Sequence, residues 1–368
     1  MRLAMSCHPS HGGSGVAATE LAMALAERGH EVHLVACARP FRLPEETDVI
    51  FDEVNVTDYP LFRYPPHDLS LANRLAGITK EHGIEVIHAH YAIPHAVAAL
   101  LAQSVVGAKR VGIVTTLHGT DITLVGSHRD FYDLTRHAMV NSDAVTTVSA
   151  WLRDETVKRF CLEKAPEVIP NFVDPRKLNP EGRVPYPDDG EPFHLSHASN
   201  MRPVKRVADI IRVFDLVQKE IPARLTMLGD GPEKGCAMEL VGELDLCDRV
   251  SFCGVTENLS KLLRKSHMYM LLSDHESFGL SALEAMACGT PAAATSCGGM
   301  PEVVTDGVTG LLCRVGDIEG TARRIVAALK DRKAWEKMSH TASAEARERF
   351  GAETVVPLYE KLYERVKR

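Results

Sequence analysis

The sequence predicts an α/β protein of two parallel-sheet domains. Three observations carry that expectation. Apolar runs of strand length alternate with helix-length segments along all 368 residues, the order expected of βαβ units. Glycine turns follow several of the predicted strands, where open α/β sheets take their ligands. Residues 170–192 hold Pro170, Pro175, Pro180, Pro185, Pro187 and Pro192 with several charges and little periodicity. Such a stretch marks a linker between two domains, able to permit closure over a substrate.

At 45% hydrophobic and 25% charged residues, the composition is that of an ordinary soluble protein. A formal net charge of −7 argues against nucleic acid or an anionic membrane as the main partner, because both reward a basic face. An anionic substrate therefore needs a local basic site. The nine cysteines, at 7, 37, 161, 236, 247, 253, 288, 297 and 313, form no C-x-x-C pair. They are expected to be buried thiols of a reducing cytoplasm rather than a disulfide or zinc framework. With no charged leader and no run of about 18 apolar residues, a cytoplasmic protein is expected, neither exported nor membrane-spanning.

In the first half, residues 3–6 form a short strand and 16–28 an alanine- and leucine-rich helix that Gly29 closes. Gly12, Gly13, Ser14 and Gly15 lie between them. Glycine lets a backbone approach a phosphate and a helix end supplies N–H groups; a tight turn without a ligand fits these residues equally well. The loop is neither the dinucleotide G-x-G-x-x-G pattern nor a P-loop. Strand 31–36 completes the βαβ order, and strand 86–90 runs into Tyr91. His88, His90 and His95 lack a nearby carboxylate to complete a ligand set, and no metal is expected. A buried strand, 111–117, delivers His118, Gly119, Thr120 and Asp121 to its C-terminal end. Strand 145–149 closes the first sheet and helix 150–160 follows.

The second half opens with strand 193–198. Asn200, Arg202, Lys205 and Arg206 then lead into helix 207–220. Three cations at a strand-to-helix turn suit a diphosphate, lysine as a compact charge and arginine as a bidentate fork. Positive charge there opposes the helix dipole unless an anion is bound. Strand 225–228 ends in the turn from Gly229 to Glu233, and strand 250–253 is followed by Gly254, Val255, Thr256 and Glu257.

After the apolar run 268–272 comes DHESFGLSALEAMACG, from Asp274 to Gly289. A helix opened by Ser277, Phe278 and Gly279 sets Glu276 and Glu284 at most about 12 Å apart along its axis and about 80° apart in direction. That separation suits one long ligand. The N–H groups of Phe278, Gly279 and Leu280 stand between the two carboxylates, where a helix N-terminus favours an anion. A sugar nucleotide has that shape; two solvated glutamates on a capped helix are the alternative. Strand 292–295 and helices 318–330 and 354–368 complete the chain.

The runs Glu276-Ser-Phe-Gly-Leu and Glu284-Ala-Met-Ala-Cys-Gly-Thr-Pro resemble the signature of the retaining family 4 glycosyltransferases of GT-B fold, and the resemblance spans nearly the whole chain. It implies two Rossmann-like domains facing a central cleft. The acceptor-side domain would be 1–170, to which 354–368 cross back, and the nucleotide-sugar domain 171–353. Pro-Phe-Arg-Leu at 40–43, residues 64–69 and the run TTLHGTDIT around His118 resemble malate-accepting members of the family. They imply transfer of N-acetylglucosamine from UDP-GlcNAc to the hydroxyl of L-malate, with no metal or other cofactor.

The same resemblance sets His118 against the transferred sugar, Glu276 on sugar hydroxyls, Glu284 on the ribose, and Lys205 with Arg206 on the leaving diphosphate. Gly13, Ser14, Asn200, Arg202, Gly229, Val255, Ser277, Phe278, Gly279 and Leu280 are the further donor contacts it implies. Many relatives carry arginine where this chain has Asn200, so either Arg202 or Arg206 supplies that charge. Malate's two carboxylates need cations or N–H donors; Ser14, Arg42, Tyr91 and Thr120 are the candidates, with Arg63 and Arg153 behind them.

No side chain stands out as a glycosyl nucleophile, and the spacing does not promise the about 5–9.5 Å carboxyl pair of a glycosidase. Stabilising charge on the leaving group is then the main catalytic device. The rival readings are a sister enzyme with another small acceptor, such as inositol phosphate, and a UDP-sugar epimerase on the same fold. The oligomeric state stays open, a homo-oligomer included.

Overall fold

The computed structural model describes residues 1–9, 12–56, 63–107, 111–256 and 258–368. Glu257 lies outside the described residues. The chain divides into two compact units, Met1–Asn171 with Glu353–Arg368, and Phe172–Ala352.

The first unit is built on β1 (Arg2–Ser6), β2 (Glu31–Ala36), β3 (Ile50–Glu53), β4 (Val86–His90), β5 (Gly112–Leu117), β6 (Ala144–Thr147) and β7 (Glu167–Val168). Their order is β3-β2-β1-β4-β5-β6-β7, and every pairing is parallel. β4 and β5 are buried along their whole length, as befits strands with helices over both faces. Strand order reverses between β1 and β4, so the loops after Ser6 and His90 part there and leave a crevice for ligands.

The second unit holds β8 (Phe193–Ala198), β9 (Ala223–Leu228), β10 (Val250–Phe252), β11 (Met268–Leu271), β12 (Ala292–Thr295) and β13 (Gly310–Cys313). These are again parallel, in the order β10-β9-β8-β11-β12-β13. Its reversal lies between β8 and β11, beside the loops that follow Ala198 and Leu271. Phe214, Met227, Met270, Ile325 and Trp335 anchor its core.

Several local expectations need correction. The first helix is Gly13–Glu27; with no side-chain cap to mark its start, Gly13, Ser14 and Gly15 form its opening turn rather than a loop. The sheet does not close at β6, because Thr146 and Thr147 pair onward with β7. Residues 67–69 belong to a helix, His67–His82, that starts directly after Pro66. The cysteines are not uniformly buried: Cys37, Cys161, Cys236, Cys247 and Cys253 are exposed. Among the described residues no helix is long and apolar enough to cross a membrane.

The final helix, Ala352–Val366, supplies the first unit with buried Tyr359 and Tyr363. The Tyr363 hydroxyl lies 2.8 Å from His88 Nδ1, and His88 Nε2 lies 2.7 Å from Thr116 Oγ1. His88 is wholly buried, so both ring nitrogens depend on these protein partners. Tyr363→Phe should therefore cost about 1–3 kcal/mol, the penalty of an orphaned buried polar group. Urea denaturation checks this, and an unchanged midpoint would contradict it.

Candidate functional site

In the second unit the loop after β8 and the loop after β11 are tied together. The Asp274 N–H donates to the Val204 carbonyl at 2.9 Å. Across that junction Lys205 Nζ meets Glu276 Oε1 at 2.6 Å, and Ser273 Oγ donates to the same oxygen at 2.7 Å. The two charged side chains are only 20% and 11% exposed. Their pairing thus sits in low dielectric, where charge-assisted hydrogen bonds are strong.

Arg206 adopts a left-handed backbone (φ 49°) between a single turn, Pro203–Lys205, and the helix Val207–Glu220. Its guanidinium is already spoken for: Nε donates to Asp209 at 2.6 Å and Nη1 to Asp274 at 2.9 Å. Those carboxylates hold its pKa above the ordinary value. Arg202 is exposed and has no carboxylate partner among the described residues. Of the three cations, Arg202 alone is uncommitted among the described residues. Asn200 contributes no charge, and its Oδ1 is buried without a partner among the described residues.

The helix that follows Glu276 is Leu280–Ala287, not one that opens at Ser277; Gly279 at φ 91° stands at its N-cap with no side-chain cap. Glu276 therefore projects from the preceding loop, and the 80° helical relation to Glu284 does not apply. Phe278 is buried and packs edge-on against Phe350 at 5.6 Å, while Ser277 and Leu280 are half-buried. Glu284 is only 4% exposed. A solvated pair of glutamates is excluded.

Two backbone contacts hold these loops. A Cβ on Gly298 would lie 1.9 Å from the Glu276 carbonyl oxygen, which accepts the Gly299 N–H at 2.8 Å. A Cβ on Gly229 would lie 1.9 Å from the Ser199 carbonyl oxygen. Below them the buried His197 donates from Nδ1 to the Met270 carbonyl at 2.9 Å and accepts at Nε2 from Ser199 Oγ at 2.7 Å. Val255 is exposed on the loop after β10.

In the first unit the ends of β4 and β5 bring together histidines. His118 Nε2 lies 2.9 Å from His90 Nδ1, and Tyr91, itself at φ 99°, stacks on His118 at 5.7 Å. Buried Asp121 fixes the loop by accepting the N–H groups of Ala92, His118 and Gly119 at 3.2, 3.1 and 2.8 Å. Burial raises its pKa to about 6. Burial, helped by His8, lowers His118 to about 3, so its imidazole is neutral at pH 7. Thr120 is half-buried beside it.

Gly13 opens its helix exposed, and a Cβ there would touch nothing within 4 Å. Ser14 is half-buried in the same turn. Arg42 Nη1 lies 3.8 Å from Glu20 Oε1. The reserve arginines are engaged locally, Arg63 over the Tyr64 ring at 5.5 Å and Arg153 with Asp154 at 2.8 Å.

Sequence reasoning missed Ser273, Asp274, Asp209, His8 and the pairing of His90 with His118. Ser273 and Asp274 directly precede the glutamate motif, and Asp209 sits one helical turn after Arg206; those adjacencies were the available signal.

Two parallel α/β sheets, each with its ligand crevice where strand order reverses, define a protein of two Rossmann-like domains. The family model "Glycosyltransferase Family 4" matches residues 11–177, and "Glycosyl transferases group 1" matches 181–349. The chain belongs to the family 4 glycosyltransferases of GT-B fold.

It is similar to the N-acetyl-alpha-D-glucosaminyl L-malate synthase of Bacillus anthracis, with 42% identity over 99% of this chain and 96% of that one. The D-inositol 3-phosphate glycosyltransferase of Pseudarthrobacter chlorophenolicus is 29% identical over 82% of this chain and 78% of its own. The crystal structure of Anabaena Alr3699/HepE in complex with UDP-glucose superposes with a TM-score of 0.82 at 19% identity, covering 99% of this chain and 100% of that one.

The buried histidines make stability pH-dependent. Burial lowers His88 and His118 to about 3 and His197 to about 4. The unfolded chain therefore binds more protons below about pH 6.5, and stability falls with pH from there toward those folded values. Asp121, raised to about 6, and His33, raised by Asp52 and Glu31, oppose this, while burial lowers His267 to about 4 as well. Each histidine contributes at most about 1.4 kcal/mol per pH unit. The melting temperature should drop clearly between pH 7 and pH 5; a flat profile would contradict the buried neutral state.

Proposed function

We propose that this chain transfers N-acetylglucosamine from UDP-GlcNAc to the hydroxyl of L-malate with retention at the anomeric carbon, the first step of bacillithiol biosynthesis, in the cytoplasm. The whole-length likeness to a malate synthase carries this reading. Local chemistry supports it. The donor's diphosphate would lie against Lys205 and Arg202, with the N–H groups of Gly279 and Leu280 beside it. Arg206, held by Asp209 and Asp274, positions the loop, and Arg202 takes up the charge that Asn200 lacks.

On this reading Lys205 turns from Glu276 to the departing phosphate, whose growing charge it stabilises. The phosphate accepts the acceptor's proton on the same face, which gives retention. Glu276, already oriented by Ser273, holds sugar hydroxyls, and Glu284 holds the ribose. Neutral His118 hydrogen-bonds the sugar without repelling the cationic character that develops at the anomeric carbon. Malate's carboxylates would draw Arg42 from Glu20 and be completed by Ser14, Tyr91 and Thr120. The protein's own cations provide the charge, and the reading takes no metal.

UDP release from UDP-GlcNAc, measured with and without L-malate and with product mass checked, tests this. Malate-dependent release with a GlcNAc-malate product is expected. Turnover indifferent to malate would send the acceptor assignment to an inositol-phosphate-type enzyme or an epimerase. Lys205→Ala should lower kcat about 10²–10³-fold, the usual cost of removing one transition-state charge partner. Arg42→Ala should raise the malate KM about tenfold or more while leaving the UDP-GlcNAc KM unchanged.

A further inference from the structure

β2 begins with Glu31 and carries His33 two residues later, so both side chains leave the strand on one face. His82, the last residue of the helix His67–His82, comes down on the same spot. The His33 and His82 rings lie 4.4 Å apart, and His33 Nε2 lies 3.4 Å from Glu31 Oε1. One ligand atom from each of Glu31, His33 and His82 falls within 4.8 Å of the others. This is at the opposite end of the parallel strands from the loops that carry His118 and Tyr91.

The imidazole of His33 is pre-oriented. Its Nδ1 lies 2.7 Å from Asp52 Oδ2 on β3, and Asp52 is in turn held by Arg74. A carboxylate accepts, so Nδ1 carries a proton and Nε2 faces the Glu31 carboxylate. That nitrogen and that carboxylate call for a positive charge between them. A proton on Nε2 would serve those two; a metal ion would take up His82 as well.

The dimensions suit zinc. Bonds of about 2.0–2.1 Å in a tetrahedron set ligand atoms about 3.3–3.4 Å apart, the separation His33 and Glu31 already have. Glu31 and His82 are exposed and free to close the remaining gap. A carboxylate on the far nitrogen of a ligating histidine is the usual outer-shell partner of such sites.

We propose that Glu31, His33 and His82 form a site for a divalent transition metal, zinc by preference, with a fourth position open to water, which pins the start of β2 to the end of the helix His67–His82. This binding lies outside sugar transfer and does not depend on the acceptor.

The test uses the full-length chain stripped with EDTA, Zn²⁺ by calorimetry and Co²⁺ by visible absorption. Wild type should bind one equivalent that His82→Ala and Glu31→Gln each weaken at least tenfold. Co²⁺ should give tetrahedral bands without the near-ultraviolet thiolate charge transfer that a cysteine site would show. Asp52→Asn should weaken binding about 10–100-fold. Zn²⁺ should raise the melting temperature of wild type but not of His82→Ala. No saturable binding, or binding unchanged in both ligand variants, would overturn the proposal and leave a protonated His33 bridging Asp52 and Glu31.

Discussion

The second unit depends on backbone meeting backbone closer than any side chain allows. At Gly298 against the Glu276 carbonyl, and at Gly229 against the Ser199 carbonyl, a single added carbon would stand 1.9 Å from oxygen. These contacts fix the loop after β12 against that after β11, and the loop after β9 against that after β8, before any side chain acts. The Lys205–Glu276 pair is a result of that arrangement. Its partners come from loops 71 residues apart in sequence, which the Asp274 to Val204 backbone bond and the Arg206–Asp274 ion pair hold together. Preorganisation of this kind removes the cost of gathering charges at the moment of reaction.

The first unit solves a different problem. Beneath its crevice lie imidazoles whose positive forms burial disfavours, the buried His88, His90 and His95 with half-buried His118 at the end of β5. They act as neutral polar groups, able to donate at one nitrogen and accept at the other. Packed so closely, they avoid the repulsion a row of fixed cations would create. Asp121 holds this cluster in place through three backbone N–H groups rather than through a charged partner.

Much of this was legible in the chain. β2, β4, β8 and β12, and the helices Ala150–Phe160, Val207–Glu220 and Ile318–Lys330, sit where periodicity sets them, because their burial is continuous or strictly patterned. The helices Gly13–Glu27, His67–His82 and Leu280–Ala287 follow Gly12, Pro66 and Gly279 with no side-chain cap, so their starts lack the usual polar signal; Val207–Glu220 lacks a cap too, but its one-sided apolar pattern marks it. Short edge strands such as β3 and β7 carry too few residues to show a period. In the site, Glu276, Glu284, Lys205 and Arg206 could be picked from motif and charge. That Arg206 is consumed by Asp209 and Asp274 could not, since it follows from a left-handed residue and a loop far away in sequence.

The route of the chain at its end has a consequence for its synthesis. The segments leading out of and back to the first unit are hydrogen-bonded neighbours, the Val173 N–H donating to the Phe350 carbonyl and the Ala352 N–H to the Val173 carbonyl. What returns is Tyr359 and Tyr363, without which His88 keeps an unanswered nitrogen. A ribosome finishes the first 171 residues long before it makes residues 353–368. At the end of that interval the second unit has all its sequence and the first does not, so the half that is begun first is the half that is completed last.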